Sequence, residues 1–559
     1  MAKKDTAATS KTKKTKYIFI VGGVMSGVGK GVASSSIAHI LQARGLKVTA
    51  LKIDPYINVD AGTMNPTEHG EVFVLKDGLE TDQDMGNYER FLNTDLPAMN
   101  YMTTGSVYLS VIEKERNLAY GGRNVEVVPD IPLEVIERIK TAGKAADADV
   151  VLTEIGGTVG EYQNVLFLEA VRMMKSELPD EVVVAMVSYL PVPGSVGEMK
   201  TKPTQTAVRM LNSAGVFADL IIARSPVGID KKRKQKLATF CNVRAENVIS
   251  APDVESIYDI PLRFEEDNLS SRICDLLDLP CNKKANLRPW QRFVASTKNT
   301  TSEISIAVVG KYFSSGDFIL SDVYISILEA IKYSAYAKKA KPVITYYGSQ
   351  AFEDNPALLK ELEKHDAILV PGGFGSTGIE GKLKVIETAR KKKIPYLGIC
   401  YGMQLAVIEY ARNELGIKNA TSTELDPNGT DLIIDVMPEQ KEKIAKQELG
   451  GTMRLGQYEG IVKPKTLLRK VYKSDSILER HRHRFEVNPD YHEVLETKDL
   501  KFSATSPDER LVEAIELDTS VHPFFVGVQY HPELQARPLT PHPLFTAFIT
   551  AGLERKQGR

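Results

Sequence analysis

A glycine-rich turn between an apolar run and a helical pattern is the feature that most constrains this chain. The turn spans Val21-Gly-Gly-Val-Met-Ser-Gly-Val-Gly-Lys-Gly31, after the run from Tyr17 to Val21 and before the pattern from Val32 to Arg44. Such a turn gathers backbone N–H groups at a helix N-terminus, which carries roughly half a positive charge and favours anions. The spacing predicts a phosphate-binding loop in which Lys30 reaches the outer phosphates of a nucleotide.

Two positions depart from the usual P-loop pattern. Val24 stands where a glycine is expected, and Gly31 stands where a serine or threonine normally follows the lysine. An ordinary tight turn is therefore the alternative interpretation. The loop alone indicates a nucleotide, but it does not indicate a reaction.

Composition bounds the class of protein. The 559 residues predict two to four domains, and 71 basic against 72 acidic residues give no global signal for nucleic acid or membrane binding. No apolar run approaches the roughly 18 residues needed to span a bilayer. Four cysteines (Cys241, Cys274, Cys281 and Cys400) do not make a disulfide framework, so we expect a reducing, cytoplasmic compartment.

The chain divides into a tail, two α/β series and a linker. Residues 1–16 hold six lysines and predict a disordered basic tail, with a weak tether to polyanions as the alternative. Strands alternate with helices over residues 17–280, which indicates a parallel sheet covered on both faces. The strand candidates there are Tyr17 to Val21, Lys47 to Ile53, Val150 to Thr153, Val182 to Ser188 and Leu220 to Ala223, with a helix from Asn164 to Leu178.

A proline-containing polar stretch, residues 281–303, predicts a linker that Trp290 pins onto a domain surface. A second α/β series follows over residues 304–555, and the polar segment from Glu424 to Gly451 predicts a surface excursion. The strand candidates are Ile304 to Val309, Val343 to Tyr347, Ala367 to Val370 and Tyr396 to Ile399. The helix candidates are Asp322 to Ala337, Pro356 to Lys364, Ile379 to Lys391 and Met403 to Asn413.

The second series contains a cysteine in the setting of a nucleophile elbow. Gly398-Ile-Cys400-Tyr-Gly-Met-Gln404 follows an apolar run and precedes a helix. A helix N-terminus lowers the pKa of a thiol, and the thiolate is the reactive form. Upstream, Pro371-Gly-Gly-Phe-Gly375 can turn backbone N–H groups toward a developing oxyanion.

Gln529-Tyr-His531-Pro-Glu533 can supply a base and an orienting carboxylate. Pro532 favours an extended backbone at His531, and side chains two residues apart on a strand point the same way. We therefore expect His531 and Glu533 to face one site with Cys400. A buried structural cysteine and an unrelated histidine are the alternative.

These residues resemble the class I glutamine amidotransferase family, whose elbow reads G-x-C-x-G-x-Q and whose histidine and glutamate come from an H-P-E segment. The resemblance implies that Cys400 attacks the glutamine side-chain amide, with His531 as the base and Glu533 as its partner. Gly373 and the neighbouring backbone would stabilise the oxyanion. For glutamine binding, the family implies contacts from Gly373, Gln404, Glu424 and Arg484. The paired residues His481 and His483 lack a convincing second ligand set for a metal.

The whole chain resembles the CTP synthase family, an N-terminal P-loop-like, parallel-sheet amidoligase domain joined to a C-terminal α/β class I glutaminase domain. In the first half the resemblance rests on Gly27-Val-Gly-Lys-Gly31, Lys52-Ile-Asp-Pro-Tyr-Ile-Asn58, His69-Gly-Glu-Val-Phe-Val74, Glu80-Thr-Asp-Gln-Asp84, Glu154-Ile-Gly-Gly-Thr-Val-Gly160, Gly197-Glu-Met-Lys-Thr-Lys-Pro-Thr-Gln205 and Phe240-Cys-Asn-Val243. In the second half it rests on Gly450-Gly-Thr-Met-Arg-Leu-Gly456 and Arg480-His-Arg-His-Arg-Phe-Glu-Val-Asn488.

The resemblance implies ATP-dependent amination of UTP to CTP in pyrimidine biosynthesis, through a UTP phosphorylated at the uracil C4 oxygen. Mg²⁺ would lie on Asp84 and Glu154, because the loop lacks the usual hydroxyl after Lys30. The residues implied for ATP are Ser26, Gly27, Val28, Gly29, Lys30, Gly31 and Asp84. The residues implied for UTP or CTP are Lys200, Thr201, Lys202, Gln205, Lys236, Glu161, Tyr162 and Gln163.

The family also implies a homotetramer, activation by GTP and inhibition by CTP. Gly450 to Gly456 is the candidate segment for the response to GTP. One departure matters: Glu161-Tyr-Gln163 stands where the family commonly has Asp-Ile-Glu, which puts the strength of CTP inhibition in doubt.

Two alternatives are weighed against this reading. Another glutamine-dependent amidoligase would not need the Lys200 to Gln205 segment. A filament-forming paralogue without activity would be expected to lose Lys30, Asp84, Glu154 or Cys400, and all four are present.

Overall fold

The computed structural model describes residues 14–194, 197–281, 284–311, 314–315, 318–319, 321–436 and 453–558. The chain forms two compact units. The first contains Met1–Val59 and Met99–Arg288, and the second contains Asp60–Ala98 and Pro289–Arg559. Residues 1–13 of the predicted tail, and residues 437–451 of the predicted surface excursion, lie outside the described residues.

The strands, in chain order, are β1 (Lys16–Gly22), β2 (Val48–Asp54), β3 (Val72–Val74), β4 (Glu80–Asp82), β5 (Tyr101–Thr103), β6 (Val150–Ile155), β7 (Val182–Tyr189), β8 (Leu220–Ser225), β9 (Val248–Pro252), β10 (Ser302–Gly310), β11 (Ser314–Ser315), β12 (Phe318–Ile319), β13 (Ala340–Gly348), β14 (Ala367–Val370), β15 (Tyr396–Ile399), β16 (Ala420–Ser422), β17 (Asp431–Val436), β18 (Arg454–Val462), β19 (Ser476–His483), β20 (Phe485–Val487), β21 (Leu500–Thr505), β22 (Val512–Leu517) and β23 (Phe525–Val528).

The α-helices are α1 (Lys30–Ala43), α2 (Pro66–His69), α3 (Gln83–Leu92), α4 (Thr104–Arg116), α5 (Val127–Ala145), α6 (Val165–Glu177), α7 (Lys202–Ser213), α8 (Lys231–Cys241), α9 (Ile260–Glu266), α10 (Leu269–Leu277), α11 (Arg288–Lys298), α12 (Ile325–Ala337), α13 (Gln350–Asp354), α14 (Leu359–Leu362), α15 (Ile379–Lys391), α16 (Tyr401–Asn413), α17 (Leu467–Tyr472), α18 (His492–Leu495) and α19 (Pro543–Gln557).

The first unit is built on a seven-stranded sheet in the order β5-β2-β6-β1-β7-β8-β9. Every neighbouring pair is parallel, with Ile20 opposite Glu154 where β1 meets β6. The central strands are almost entirely buried, as expected for a parallel sheet with helices on both faces. This confirms the predicted parallel-sheet α/β class, and it brings the carboxyl ends of β1, β2 and β6 to one edge.

The second unit is built on a nine-stranded mixed sheet in the order β13-β10-β14-β15-β23-β22-β21-β18-β19. The strands from β13 to β23 are parallel neighbours, and the strands from β23 to β19 are antiparallel neighbours. A smaller sheet joins β16, β17 and β20. Here the sequence analysis missed the antiparallel strands, and β17 begins inside the segment expected to be a surface excursion.

Residues 60–98 pack with the second unit, although the sequence analysis placed them within the first domain. Their contacts centre on Glu89 in α3, whose carboxylate accepts from Arg480 at 2.9 Å and from Arg537 at 2.6 Å. Both Glu89 and Arg480 are fully buried, and Asp95 accepts a further hydrogen bond from each arginine. A buried ion cluster therefore ties this inserted segment to β19 and to the turn after β23.

The stretch expected to be a linker contains helix α11. Trp290, at the start of this helix, is fully buried and lies 4.8 Å from Phe91 and 5.6 Å from Phe293 between ring centroids. Pro289 lies in the first turn of this helix, where a proline is tolerated, so it does not prevent the stretch from being helical. The aromatic contacts of Trp290 agree with the expectation that this tryptophan anchors the stretch. The exact domain boundaries stay a prediction.

Cys274 and Cys281 form a disulfide bond, with Cα atoms 6.0 Å apart. The sequence predicted no disulfide framework, and this single bond forms where the turn after α10 brings the two residues together. Cys241 and Cys400 are free thiols and are buried. Within the described part of the chain, none of the helices has the length and apolar character needed to cross a membrane.

The buried cluster generates a stability prediction. Glu89→Gln leaves Arg480 and Arg537 buried beside a neutral partner, so the free energy of unfolding of the second unit should fall by about 3 kcal/mol. Urea unfolding followed by the fluorescence of Trp290, the single tryptophan, measures this unit directly. As control, Glu361→Gln removes an exposed partner of Lys364 and should change the same quantity by less than about 0.5 kcal/mol. Equal small losses in both variants would contradict the prediction.

Candidate active sites

The predicted phosphate loop joins β1 to α1. Gly27 and Gly29 have φ of 69° and 88°, and a Cβ on Gly29 would lie 2.5 Å from Arg224 Nη1. The backbone conformation therefore favours glycine at position 29, and a Cβ there would also displace the Arg224 side chain. Val24, the residue that departs from the usual pattern, also has positive φ, at 79°. The position keeps the backbone conformation of the expected glycine, at some cost in strain.

Lys30 is the first residue of α1. Its Nζ donates to the carbonyl oxygen of Gly157 at 2.8 Å, so the lysine lies between the loop and the turn that follows β6. The ammonium group and the helix N-terminus are thus at the same end of the sheet. This is the arrangement that binds polyphosphates in strand–loop–helix sites.

An acidic pair lies at the same sheet edge. Lys52 Nζ is 3.1 Å from Glu154 Oε1 and 3.6 Å from Asp54 Oδ1, and all three side chains are buried. Oxygen donors of this kind fit Mg²⁺, which usually takes one or two carboxylates together with waters and substrate phosphates. Among the described residues, no set of three or more His, Cys, Asp or Glu side chains is grouped as a metal site.

Asp84 belongs to the second unit, in the first turn of α3. Asp82 caps this helix by accepting from the Asp84 N–H at 2.8 Å. The cap fixes Asp84 in the first helical turn, where its carboxylate is half-buried. The structure thus gives Asp82 a structural role as the cap of α3.

Two of the predicted triphosphate residues, Lys200 and Lys236, lie near Glu198. Lys200 lies 2.7 Å from this carboxylate, and together with Arg233 and Lys236 it holds the pKa of Glu198 below its usual value. Lys202 begins α7, and Gln205 Nε2 donates to Thr201 Oγ1 at 3.1 Å. Lys200 and Lys236 therefore both act on the same carboxylate, although they lie 36 positions apart in the sequence.

The departing segment Glu161 to Gln163 forms a tight turn after the Thr158 region. Glu161 Oε2 accepts from the Thr158 N–H and from Gln163 Nε2, each at 3.0 Å. The side chain of Tyr162 is almost fully exposed, at 96%. The Glu161 side chain thus stabilises the turn that contains it, while the Tyr162 side chain is exposed to solvent.

A small cavity beside the phosphate loop was not anticipated. It holds about 20 Å³ and is lined by residues that include Gly29, Ala33, Arg224, Pro252, Val254 and Phe264. Arg224 ends β8 and pairs with Asp253 at 2.7 Å. The sequence could have indicated this region through the position of Arg224 at the carboxyl end of a predicted strand, because residues at these ends of parallel strands commonly form ligand sites.

In the second unit, Cys400 lies between β15 and α16 with φ 52° and ψ −103°. This is a strained backbone conformation for a residue with a side chain. Gly398 and Gly402 make it possible, because a Cβ on Gly402 would lie 2.1 Å from the Val370 carbonyl oxygen. The predicted elbow is therefore present, with its thiol 4% exposed at the N-terminus of a helix.

His531 and Glu533 face the same point, with 2.7 Å between Nδ1 and Oε1. The sequence predicted that the two residues lie on a strand, but they do not. The strand β23 ends at Val528, and Pro532 begins a 3₁₀ turn because it lacks the N–H that a ladder needs. The turn nevertheless brings the carboxylate to the imidazole.

The charge on His531 is set by its neighbours. Burial alone would lower the pKa of His531, but Glu533 and Cys400 outweigh it and raise that pKa to about 10. The imidazole is therefore held as a cation near neutral pH. A cation beside the thiol favours the thiolate.

Backbone groups complete the surroundings of the thiol. The carbonyl of Arg482 in β19 accepts from Cys400 Sγ at 3.8 Å, and Gln529 Nε2 lies 3.6 Å from the sulfur. The carbonyl of Arg480 accepts from the His531 N–H at 2.7 Å. A Cβ on Gly372 would lie 3.1 Å from the His531 ring, so a side chain at this position would crowd the imidazole.

The residues implied for glutamine lie around this point in different ways. Gly373 lines the cavity at the thiol, and Glu424 accepts from the Gly375 N–H at 2.7 Å. Burial raises the pKa of Glu424, and Arg484 is among the cations that act against this. Gln404 instead donates to the Phe485 carbonyl at 2.8 Å and to Gln529 at 3.1 Å, which makes it a buried support of the site.

A cavity of about 80 Å³ opens at the thiol, and its walls include Pro66, Glu71, Val72, Ile327, Cys400 and His531. Glu71 accepts from the Ser326 N–H at 3.1 Å, and burial raises its pKa to about 7. The sequence analysis noted only the segment His69 to Val74 and missed this carboxyl. Residues 450–452 of the segment predicted to respond to GTP lie outside the described residues, while β18 begins at Arg454.

Both halves of the chain match known protein families. A family model described as CTP synthase N-terminus covers residues 16–279, and one described as glutamine amidotransferase class-I covers residues 319–551. A CTP synthase of Halalkalibacterium halodurans is 46% identical over 97% of this chain and 100% of that protein. One of Thermococcus kodakarensis is 47% identical over 97% of this chain and 100% of that protein.

A solved structure gives a partial likeness. The glutaminase domain of Trypanosoma brucei CTPS with bound acivicin is 35% identical, and the match covers 45% of this chain and 94% of that one, with a TM-score of 0.41. The family models and full-length relatives define a two-domain, glutamine-hydrolysing ligase. The chain belongs to the CTP synthase family.

The geometry at His531 generates a pH prediction. Glu533→Gln removes the negative charge that raises the pKa of His531, so that pKa should fall. The alkaline limb of glutamine hydrolysis should then move to lower pH, because the imidazolium loses its proton earlier, and the rate at neutral pH should fall by roughly a hundredfold. Initial rates from pH 6 to 10 would show both effects. An unchanged alkaline limb would contradict this account of His531.

Proposed function

We propose that the chain makes CTP from UTP, using ATP and the ammonia released from glutamine. The observation that supports this most is the presence of two complete constellations in one chain of this family. One unit carries Lys30 at a glycine loop, and the other carries the thiol of Cys400 beside a charged His531–Glu533 pair.

The glutaminase step follows from the positions at Cys400. The thiolate attacks the side-chain carbonyl carbon of glutamine, and the negative charge moves to the carbonyl oxygen beside the Gly372–Phe374 loop. The imidazolium of His531 gives its proton to the departing nitrogen, which leaves as ammonia while a thioester forms. His531 then accepts a proton from water, which attacks the thioester and releases glutamate.

The synthetase step requires activation of the uracil ring, because its C4 oxygen is a poor leaving group. We assign Ser26 to Gly31 to the ATP phosphates, with Lys30 at the outer phosphates. The γ-phosphoryl group passes to the C4 oxygen of UTP, ammonia adds at C4, and phosphate departs. The UTP triphosphate is assigned to Lys200, Thr201, Lys202, Gln205 and Lys236.

Mg²⁺ is assigned to Glu154 and Asp84. When bound, it would neutralise charge on the ATP phosphates. The observation in favour is the buried oxygen pair of Glu154 and Asp54 at the phosphate end of the sheet. Synthesis in EDTA, with and without added Mg²⁺, tests the metal.

Regulation and assembly are proposed as well. We assign GTP activation to the region of Gly450 to Gly456, and an altered strength or mode of CTP inhibition to the turn from Glu161 to Gln163. A homotetramer is favoured by exposed apolar side chains on α4 and α5, which include Leu109, Ile112 and Leu133. Light scattering over a range of protein concentrations tests the assembly. A cytoplasmic location is proposed from the family.

The two-site reading makes a sharp prediction for the thiol. Cys400→Ala should abolish glutamine-dependent CTP formation, because no thioester can form, while synthesis from free ammonia stays within about twofold of the unmodified enzyme. Absorbance at the wavelength where UTP and CTP differ follows both reactions in parallel. Cys241→Ala is the matched control and should keep both activities. Loss of both activities in a folded Cys400→Ala protein would contradict the separation of the sites.

The phosphate loop makes the complementary prediction. Lys30→Ala removes the cation at the outer phosphates, so synthesis from either nitrogen source should fall by at least a hundredfold. Glutamine hydrolysis measured without UTP should persist at its basal rate. Retained ammonia-dependent synthesis would contradict the role of Lys30. Turnover of a carboxylate substrate in place of UTP would instead favour a different amidoligase.

A further inference from the structure

Lys382, in the first turn of α15, is a buried cation that the proposed reaction does not use. Its side chain is fully buried, and among the described residues its Nζ has no hydrogen-bond partner. An unpaired ammonium in a protein interior is costly, so such a group is kept only where something nearby compensates its charge. The residues around Lys382 show which groups compensate its charge.

One compensating contact of Lys382 is an aromatic ring. Lys382 Nζ lies 5.2 Å from the ring centroid of Tyr401, within the range of a cation–π interaction. Tyr401 directly follows Cys400, and its hydroxyl donates to the Gly375 carbonyl at 3.3 Å. The lysine therefore contacts the first residue of the helix whose N-terminus holds the thiol.

The charges that act on Lys382 come from separate elements. Burial and Lys311 lower the pKa of Lys382 to about 7, while Glu424 and Cys400 act to raise it. Lys311 follows β10 and donates to the Phe374 carbonyl at 2.6 Å, and Glu424 follows β16 and accepts from the Gly375 N–H. His531 is the other cation beside the thiol. A negative charge on the sulfur thus favours the charged form of the lysine.

We propose that Lys382 is a positioning residue of the glutaminase site, whose ammonium group on the Tyr401 ring stabilises the thiolate of Cys400. Charge at the two sites is linked: the thiolate favours the ammonium, and the ammonium favours the thiolate. The lysine acts from the protein interior and leaves the substrate side of the sulfur open. The inference rests on the proposed role of Cys400 as the nucleophile.

The test measures the thiol directly. Iodoacetamide is added to the full-length protein from pH 5 to 9, and the rate of modification is followed on the peptide that contains Cys400. In Lys382→Met, a long apolar side chain fills the same space, and the midpoint of the rate profile should move up by about one pH unit. Below that midpoint the rate should fall about tenfold. Lys384→Met, on the same helix, is the matched control and should leave the profile unchanged.

Two further measurements keep the result decisive. Trp290 fluorescence and ammonia-dependent synthesis establish that each variant is folded, and Lys382→Gln replaces Lys382→Met if the latter is not. A profile in the neutral variants that matches the unmodified protein overturns the inference. A shifted profile in a protein that never hydrolyses glutamine would support the effect of Lys382 on the thiol and contradict only the proposed function.

Discussion

The ion cluster of Arg480, Glu89 and Arg537 is the interaction on which the glutaminase site depends. The side chain and the backbone of Arg480 make contacts with different parts of the second unit. The guanidinium binds Glu89 and Asp95, while the carbonyl of the same residue holds the N–H of His531. Two residues further along β19, the carbonyl of Arg482 reaches the sulfur of Cys400. One strand, fixed by buried charge, therefore sets the positions of both the base and the nucleophile.

The same site shows how burial is used to control charge. In a region with little water, the neighbours of a titratable group determine whether it is charged, since solvent no longer stabilises the charge. Glu533 and Cys400 raise the pKa of His531 and keep it protonated. Glu424 and Cys400 likewise act to raise the pKa of Lys382. The thiol thus lies among cations whose protonation depends partly on its own charge. Such coupled groups titrate as a set, so a single substitution changes more than one of them.

Much of this could be predicted from the sequence, because local patterns encode local structure. The apolar runs at Tyr17, Val182 and Tyr396 predicted buried parallel strands, and the glycines around Cys400 predicted the elbow. The antiparallel strands were missed, since their short, mixed runs are defined by partners distant in the chain. The 3₁₀ turn at Pro532 was missed because the strand rule for side chains two residues apart was applied beyond the end of β23. Lys382 and Glu71 carry no local signal, since their significance comes from burial and neighbours.

The chain enters the second unit early, at residue 60, and returns to the first at residue 99. This path has a consequence for any attempt to separate the halves. A fragment beginning at the predicted boundary, residue 304, would contain the thiol, the imidazole and the carboxylate of Glu533. It would lack Glu89 and Asp95, the anions that neutralise two buried arginines, and it would lack the Glu71 and Val72 side of the cavity. The ability to hydrolyse glutamine is therefore distributed along the chain, and its scaffold does not follow the linear division of the sequence.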